Sequence, residues 1–156
     1  MIQLTPMTQP EYETFLAYLI PDYAADMVHA GFWRAEEAQA KAEHELAENL
    51  PRGLETPDSY LYTLVEAETG QKVGVLWCLF RQISVPEIFI ADIMIYKEFR
   101  RRGYARQALE ALHQRAKEMG AVQVGLHVFG YNQAARMLYE QMGYTATSLQ
   151  MRKALG

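Results

Sequence analysis

Hydrophobic and polar positions predict a helical N-terminal third. Apolar residues alternate over residues 2–7. Thr8 then fits the N-cap of a helix, because Glu11 stands three residues later and completes a capping box. Pro21 is expected to end or kink that helix, since proline lacks the N–H that the helix interior needs. The helical pattern restarts after Pro21 and runs to Gly31.

The pattern changes from helices to strands in the middle of the chain. Residues 34–50 keep small and apolar side chains at helical spacing, and the LPRGLETPDS run that follows predicts a loop. Residues 60–65 and 73–81 are rich in β-branched and aromatic types and flank a Glu68-Thr69-Gly70 turn, which predicts a hairpin. The remaining elements are strand 87–96, helix 103–119 closed by Gly120, strand 122–128, helix 132–142 closed by Gly143, and a last strand over 144–152. A hairpin followed by alternating strands and helices predicts an α/β domain with a mixed sheet.

Length and composition restrict the class of protein. With 156 residues the chain is too short for two ordinary domains, so we expect one domain over residues 1–156. Its longest apolar run, VGVLWCLF, is far shorter than the roughly 20 residues that span a bilayer, and no basic and apolar leader begins the sequence. Cys78 is the single cysteine and lies in that apolar run. We therefore expect a cytoplasmic protein with no membrane partner and a buried thiol.

Charge is distributed unevenly along an acidic chain. The formal net charge of −4 argues against a general nucleic-acid binder. Four of the fifteen basic residues nevertheless lie at Arg100, Arg101, Arg102 and Arg106, where a strand leads into a helix. A helix N-terminus presents free N–H groups and a partial positive charge, and Gly103 allows a close backbone approach. This segment therefore predicts a site for a small, highly charged anion.

Two segments resemble the signatures of the GCN5-related N-acetyltransferase (GNAT) superfamily. The run RRRGYA at residues 100–105 is similar to the family's loop for the pyrophosphate of acetyl-CoA, although the family often has proline at the place of Lys97 and glycine at that of Arg101. The second signature is resembled by Leu126-His127-Val128, Asn132, Ala135, Leu138-Tyr139 and Gly143-Tyr144. The resemblance covers residues 60–150 and lies nearest to a bacterial subgroup of small, uncharacterised acetyltransferases.

The resemblance implies a fold, an activity and a cosubstrate. The fold is a mixed, mostly antiparallel sheet with a splayed central strand pair, flanked by helices. The activity is direct transfer of the acetyl group of acetyl-CoA to a primary amine in a ternary complex, without a metal ion. The implied cofactor-binding residues are Ile93, Met94, Ile95, Arg100, Arg101, Arg102, Gly103, Tyr104, Ala105, Arg106, Asn132, Ala135 and Tyr139. Asn132 also fits the N-cap of the helix that follows it.

The resemblance places the general acid at Tyr139, where a phenol can protonate the departing thiolate. The general base is open between Glu87, Asp92 and a water chain. In a regular strand the two carboxylates point to opposite faces, and Glu87 shares its face with Ala91 and Ile93; a bulge would change that parity. Glu87 is the preferred base on this parity. His127 is read as structural, with proton relay as its other possible role.

The acceptor is expected to contact the N-terminal helices and the loop after them, which vary most in such folds. Tyr23, Trp33 and Arg52 are the candidate acceptor-binding residues, although Trp33 also fits simple packing and Arg52 a solvated loop charge. The acceptor class stays open between small-molecule and peptide amines, and a homodimer is possible. A different hypothesis is a CoA-binding sensor or assembly module that performs no catalysis.

Overall fold

A computed structural model describes all 156 residues. The elements are β1 (Ile2–Pro6), α1 (Gln9–His29), α2 (Ala35–Asn49), β2 (Ser59–Glu66), β3 (Lys72–Gln82), β4 (Pro86–Ile95), α3 (Tyr104–Glu118), β5 (Gln123–Leu126) and α4 (Gln133–Gln141). Single 3₁₀ turns cover Gly53–Glu55 and Lys97–Phe99. No helix is both long and apolar enough to cross a bilayer.

The first helix begins as predicted and does not break at its proline. Thr8 and Glu11 form the capping box, with Thr8 N donating to Glu11 Oε1 at 2.9 Å. The prediction that the helix ends at Pro21 and restarts after it is wrong, because α1 is one helix from Gln9 to His29. Proline removes one helical hydrogen bond. Buried Leu19 and Ala24, on either side of it, anchor the helix by tertiary packing.

Five strands form one sheet in the order β1-β2-β3-β4-β5. All neighbours are antiparallel except β4 and β5, which run parallel. The pairing of β4 with β5 ends at Ile90 and Leu126, while β4 continues to Ile95. The sheet therefore opens between these two strands, and the predicted mixed fold with a splayed central pair is confirmed.

A bulge in β4 changes which side chains share a face. Trp77 pairs with Asp92 and the next residue of β3 pairs with Ile90, so Ala91 has no partner in the ladder. Ile88 and Ile90 before the bulge and Ile93 and Ile95 after it all pack in the same cluster. The expectation that Glu87 shares a face with Ile93 is therefore wrong: the bulge places Glu87 and Asp92 on the same face of the strand.

The sheet separates two apolar clusters. On one face α3 buries Leu109 and Leu112 against the strands, and Cys78 is 1% exposed in this cluster. On the other face α1 and α2 cover the sheet, with Phe15 packed edge-on against Trp77 at 6.4 Å between ring centroids. Burial raises the pKa of the Cys78 thiol to about 12, so this thiol stays protonated.

The C-terminal segment does not form the predicted last strand. Residues 144–152 make no ladder, and Leu149 and Met151 are exposed. Each alternating set of positions mixes apolar and polar types, with Tyr, Ala, Ser, Gln and Arg in one and Thr, Thr, Leu and Met in the other, so the segment has no continuous apolar face to bury against the sheet. Arg152 instead ties the segment to the other end of the molecule, since its Nη1 donates to Ala30 O at 2.8 Å.

Candidate active site

A run of free backbone amides lies at the start of α3. Arg101 and Gly103 both have left-handed backbones, with φ of 62° and 79°, and they turn the chain from β4 into the helix. The N–H groups of residues 101–106 donate to no acceptor in the protein. Six consecutive amides at a helix N-terminus form a concave donor surface that suits phosphate oxygens.

Three of the four arginines in this segment brace the loop. Arg100 Nε donates to Ile95 O at 2.9 Å, and Arg102 Nη2 donates to Glu98 O at 3.2 Å. Arg106 Nη2 donates to Gln141 Oε1 at 3.1 Å and so links α3 to α4. These contacts fix the loop around the free amides while the guanidinium groups add positive charge beside them.

The strand that leads into this loop has an open edge. Ile93, Met94 and Ile95 are half-buried and lie beyond the last residue of β4 that pairs with β5. Backbone groups on that side of β4 have no strand beside them, which allows an extended ligand to bond to them as an added strand.

A polar cleft of about 470 Å³ lies between α1, the open part of β4 and the start of α4. Its lining residues are Tyr18, Asp22, Asp26, Asp92, Ile93, Met94, Arg100 and Asn132. Asn132 is the N-cap of α4, as expected, and its Oδ1 accepts from Ala135 N at 3.3 Å. The cleft therefore joins the predicted cofactor-binding residues to the first helix.

Asp92 is the carboxylate of β4 that lines the cleft. Its Oδ2 accepts a 3.0 Å hydrogen bond from the Tyr18 hydroxyl. Burial and the charges of Asp22 and Asp26 raise the pKa of Asp92, the hydrogen bond from Tyr18 lowers it, and the net result is a pKa of about 7. A carboxyl group with this pKa can accept and release a proton near neutral pH.

Tyr139 lies on α4 and is half-buried against the cluster that α3 covers. Burial, followed by the charge of Asp92, raises the pKa of its phenol, so Tyr139 keeps its proton. Its ring packs edge-on against Tyr144 at 5.6 Å between centroids, and the Tyr144 hydroxyl lies 2.6 Å from His113 Nε2. These neighbours hold the Tyr139 ring.

Glu87 lies away from the cleft, about 13 Å along the sheet from Asp92, because their partners Arg81 and Trp77 are four residues apart on β3. Its Oε2 accepts from Arg81 Nε at 2.5 Å and its Oε1 from Gln123 Nε2 at 3.0 Å. A Cβ atom on Gly125 would overlap the Glu87 carboxylate, which shows how closely β5 covers it. Glu87 thus serves as a buried ion-pair partner between strands.

The residues predicted to bind the acceptor do not line the cleft. Tyr23 and Trp33 pack against each other at 5.4 Å between α1 and α2, and the Tyr23 hydroxyl donates to Glu45 Oε2 at 2.6 Å. Arg52 lies exposed in the loop after α2. His127 is exposed beside the Phe129 ring, 4.9 Å between centroids.

Tyr18, Asp22 and Asp26 were missed by the sequence analysis, although a signal for them exists. They follow one another at spacings of four residues, which places them on one face of an α-helix. A helix broken at Pro21 would separate Tyr18 from the two carboxylates. The unbroken α1 brings all three to the cleft.

No group of three or more histidine, cysteine, aspartate or glutamate side chains is gathered closely enough to hold a metal ion. Asp22 and Asp26 line the cleft from α1, and Asp92 lines it from β4.

Known proteins of one family match this chain over most or nearly all of its length. The profile of the acetyltransferase (GNAT) family matches residues 18–144. Two curated relatives come from Bacillus subtilis (strain 168): the uncharacterized N-acetyltransferase YycN is 44% identical over 156 residues, with 99% of each chain covered, and YdgE is 35% identical over 154 residues, with 97% of each covered.

Solved structures share the fold. The crystal structure of the Bacillus subtilis acetyltransferase YycN matches with a TM-score of 0.94 at 43% identity, covering 99% of each chain. AAC(6')-Iy in complex with the bisubstrate analog CoA-S-monomethyl-acetylneamine matches with a TM-score of 0.65 over 100% of this chain and 99% of that one, and at 15% identity it shows the fold alone.

Proposed function

The chain belongs to the acetyltransferase (GNAT) family and is an acetyltransferase, and from that premise we propose that it moves the acetyl group of acetyl-CoA to a primary amine by direct transfer. The observation that carries the proposal is the juxtaposition of free amides at residues 101–106 with a cleft that contains Asp92. One part suits the phosphates of a CoA thioester, and the other can accept a proton from an amine.

The donor binds along the open edge of β4. Amides 101–106 hold the pyrophosphate, and the backbone of Ile93 to Ile95 bonds to the pantetheine arm. Tyr104, Ala105, Asn132 and Ala135 line the path between the phosphates and the thioester. In support, the neighbour AAC(6')-Iy was crystallised with a bisubstrate analog that contains CoA.

The proton of the amine passes to Asp92. An ammonium group must lose a proton before its nitrogen can attack the thioester carbonyl, and a carboxylate with a pKa of about 7 accepts that proton directly or through one water. Asp92 is preferred over Glu87 because Asp92 lines the cleft, whereas both Glu87 carboxylate oxygens are bonded to Arg81 and Gln123.

The leaving group takes its proton from Tyr139. As the nitrogen–carbon bond forms and the carbon–sulfur bond breaks, the thiolate of CoA gains negative charge. The Tyr139 phenol keeps its proton because burial and the charge of Asp92 raise its pKa, so it can donate to the thiolate at that moment. The attacking nitrogen loses its second proton as the carbon–sulfur bond breaks, and this proton restores the Tyr139 phenol. The products are the acetylated amine and CoA thiol, and Asp92 returns the first proton to solvent.

Calorimetry with CoA tests the donor site. Gly103→Glu places a carboxylate among the free amides and is expected to abolish CoA binding. Gly70→Glu is the matched control, because Gly70 has a similar φ of 74° in the β2–β3 turn, where nothing lies within 4 Å of an added Cβ. Equal CoA affinity in the two variants would contradict the assignment.

A thiol-release assay with acetyl-CoA and a panel of amines tests the reaction. Tyr139→Phe is expected to lower kcat by about 100-fold while CoA still binds. A protein that binds acetyl-CoA tightly and acetylates no amine in the panel would instead be a sensor or assembly module.

A further inference from the structure

We propose that the acceptor is a diamine or polyamine whose reacting nitrogen lies at Asp92 while a second ammonium group lies against Asp22 and Asp26. This inference rests on the proposed function and names the substrate class of that site. Its evidence is the arrangement of charge on α1, which lines the acceptor side of the cleft.

The spacing along α1 sets the length of the ligand. Tyr18, Asp22 and Asp26 follow at intervals of four residues, so each lies roughly 6 Å further along the helix than the one before. The hydrogen bond between Tyr18 and Asp92 shows that Asp92 lies beside the Tyr18 end of this row of side chains on α1. A second cation is therefore held roughly 6 to 12 Å from the reacting nitrogen, a distance that a short alkyl chain between two nitrogens spans.

The carboxylate of Asp92 offers an acceptor atom to the ligand. Its Oδ2 accepts the hydrogen bond from Tyr18, while its Oδ1 accepts none from the protein and is accessible to solvent on the cleft wall. An ammonium group in the cleft can therefore donate a charge-assisted hydrogen bond to this oxygen. This atom lies on β4, independent of the acids on α1.

The two acids on α1 differ in how they are held. Asp26 Oδ1 accepts a 2.8 Å hydrogen bond from the Tyr131 hydroxyl, and the Tyr131 ring packs on His29 at 4.0 Å between centroids. Asp22 accepts no hydrogen bond from the protein. Burial and the charge of Asp26 raise the pKa of Asp22, while Arg100 lowers it. A cation between Asp22 and Asp26 relieves their mutual repulsion.

The other charged group on the cleft wall is Arg100, and it serves the donor side. Its guanidinium is bonded to Ile95 O at the end of β4, beside the amides that suit phosphate. The charge of Arg100 also acts on Asp22, whose pKa it lowers, so the positive and negative parts of the cleft meet at Asp22. The three carboxylates occupy separate positions, two of them four residues apart on α1 and one on β4, and so they suit an extended ligand with separated charges.

A paired substrate comparison tests the inference. Thiol release is measured with diaminobutane and with butylamine, which share an alkyl chain and differ in the second nitrogen. The wild type is expected to favour diaminobutane by tenfold or more in kcat/KM, as about 1.4 kcal/mol of extra binding gives. Asp22→Asn with Asp26→Asn is expected to remove that preference, so that the double variant uses the two amines with kcat/KM values within about twofold of each other. Both amines meet the same Asp92, so the change in its pKa that follows the loss of the two charges cancels in this ratio. Glu13→Gln is the control, because it removes a negative charge from the exposed side of α1 and not from the cleft, and it should keep the preference for diaminobutane.

The outcomes separate this inference from the proposed function. Equal use of both amines by the wild type, or an unchanged preference in the double variant, overturns the diamine inference and leaves the acetyltransferase reaction intact. If neither amine releases thiol, calorimetry of diaminobutane with the CoA-bound protein decides: binding that the double variant loses supports the cation site, and no binding overturns it.

Discussion

The Tyr18 hydroxyl donates a 3.0 Å hydrogen bond to Asp92 Oδ2 and so joins α1 to β4 across the cleft. The bond spans 74 residues of sequence and connects the helix that carries Asp22 and Asp26 to the strand that separates from β5. Tyr18 is therefore a positioning residue for Asp92. It fixes the carboxylate and favours its ionised form.

Tyr18→Phe is expected to shift the pH dependence of acetyl transfer. Removing a hydrogen bond that lowers the pKa of Asp92 raises that pKa above about 7. The acid limb of the kcat/KM profile then moves to higher pH, so the variant loses most activity near pH 6.5 and regains it above pH 9. Tyr12→Phe is the control, since Tyr12 is buried on α1 away from Asp92. An unmoved acid limb would show that Tyr18 only packs.

Asp92→Asn is expected to stabilise the free protein at alkaline pH. Asp92 has a folded pKa of about 7 and an ordinary value of 3.8. Ionisation therefore costs folding free energy above pH 7, by at most about 4 kcal/mol for a shift of three units. As pH falls from 7 to 4 the wild type regains this stability by binding a proton in the folded state.

Chemical denaturation at pH 4 and pH 8 measures the effect. The free energy of unfolding of Asp92→Asn should exceed that of the wild type at pH 8 and equal it near pH 4. Glu13→Gln, remote from the cleft, should keep the wild-type pH dependence. A variant that is less stable than the wild type at pH 8 would show that the carboxylate is stabilised in the fold rather than strained.

Glu87→Gln is expected to affect stability and not the pH profile of activity. Breaking a buried ion pair costs about 3–5 kcal/mol, and because Arg81 is 41% exposed we expect about 2 kcal/mol here. Thermal unfolding measures that loss, and the acid limb of kcat/KM should stay where it is in the wild type. A displaced acid limb would assign the proton acceptor to Glu87 instead of Asp92.

Arg101→Gly is expected to keep or raise stability. Arg101 has a φ of 62°, a region that costs an ordinary residue roughly 1–2 kcal/mol and glycine little. The gain is partly offset by the greater freedom of glycine in the unfolded chain. The matched control is Arg102→Gly, where φ is not positive and glycine should destabilise by about 0.5–1 kcal/mol. Both variants should bind CoA, because the amides remain.

The features of the fold that could be predicted from the sequence are those that depend on a local pattern of residue types. The capping box at Thr8, the hairpin of β2 and β3 and the loop around Gly103 follow from residue types at fixed spacings, and the structure contains all three. The mixed sheet followed from the alternation of strands and helices after the hairpin, and its parallel pair is β4 with β5. Each of these rests on contacts within or between successive elements.

Features set by tertiary packing were not predictable. The sequence pattern predicts a break at Pro21 because it does not show the tertiary packing of Leu19 and Ala24. These two residues are buried on either side of Pro21 and keep α1 in one piece. The bulge at Ala91 has no residue signature of its own, and it alone decides that Asp92 faces α1. Both errors concern the same cleft. The break at Pro21 would separate Tyr18 from Asp22 and Asp26, and the regular-strand parity favoured Glu87 over Asp92 as the carboxylate of the site.

In the proposed sites, recognition is divided between main chain and side chain: the donor meets the amides of residues 101–106 and the acceptor meets the acids on α1. Backbone groups persist through most substitutions, whereas Asp22 and Asp26 can each be replaced by a single change on an exposed helix face. A lineage can therefore exchange one acceptor for another in a few mutational steps while it keeps the same donor. The unbroken α1 makes this cleft a site where new specificities can evolve without rebuilding the enzyme.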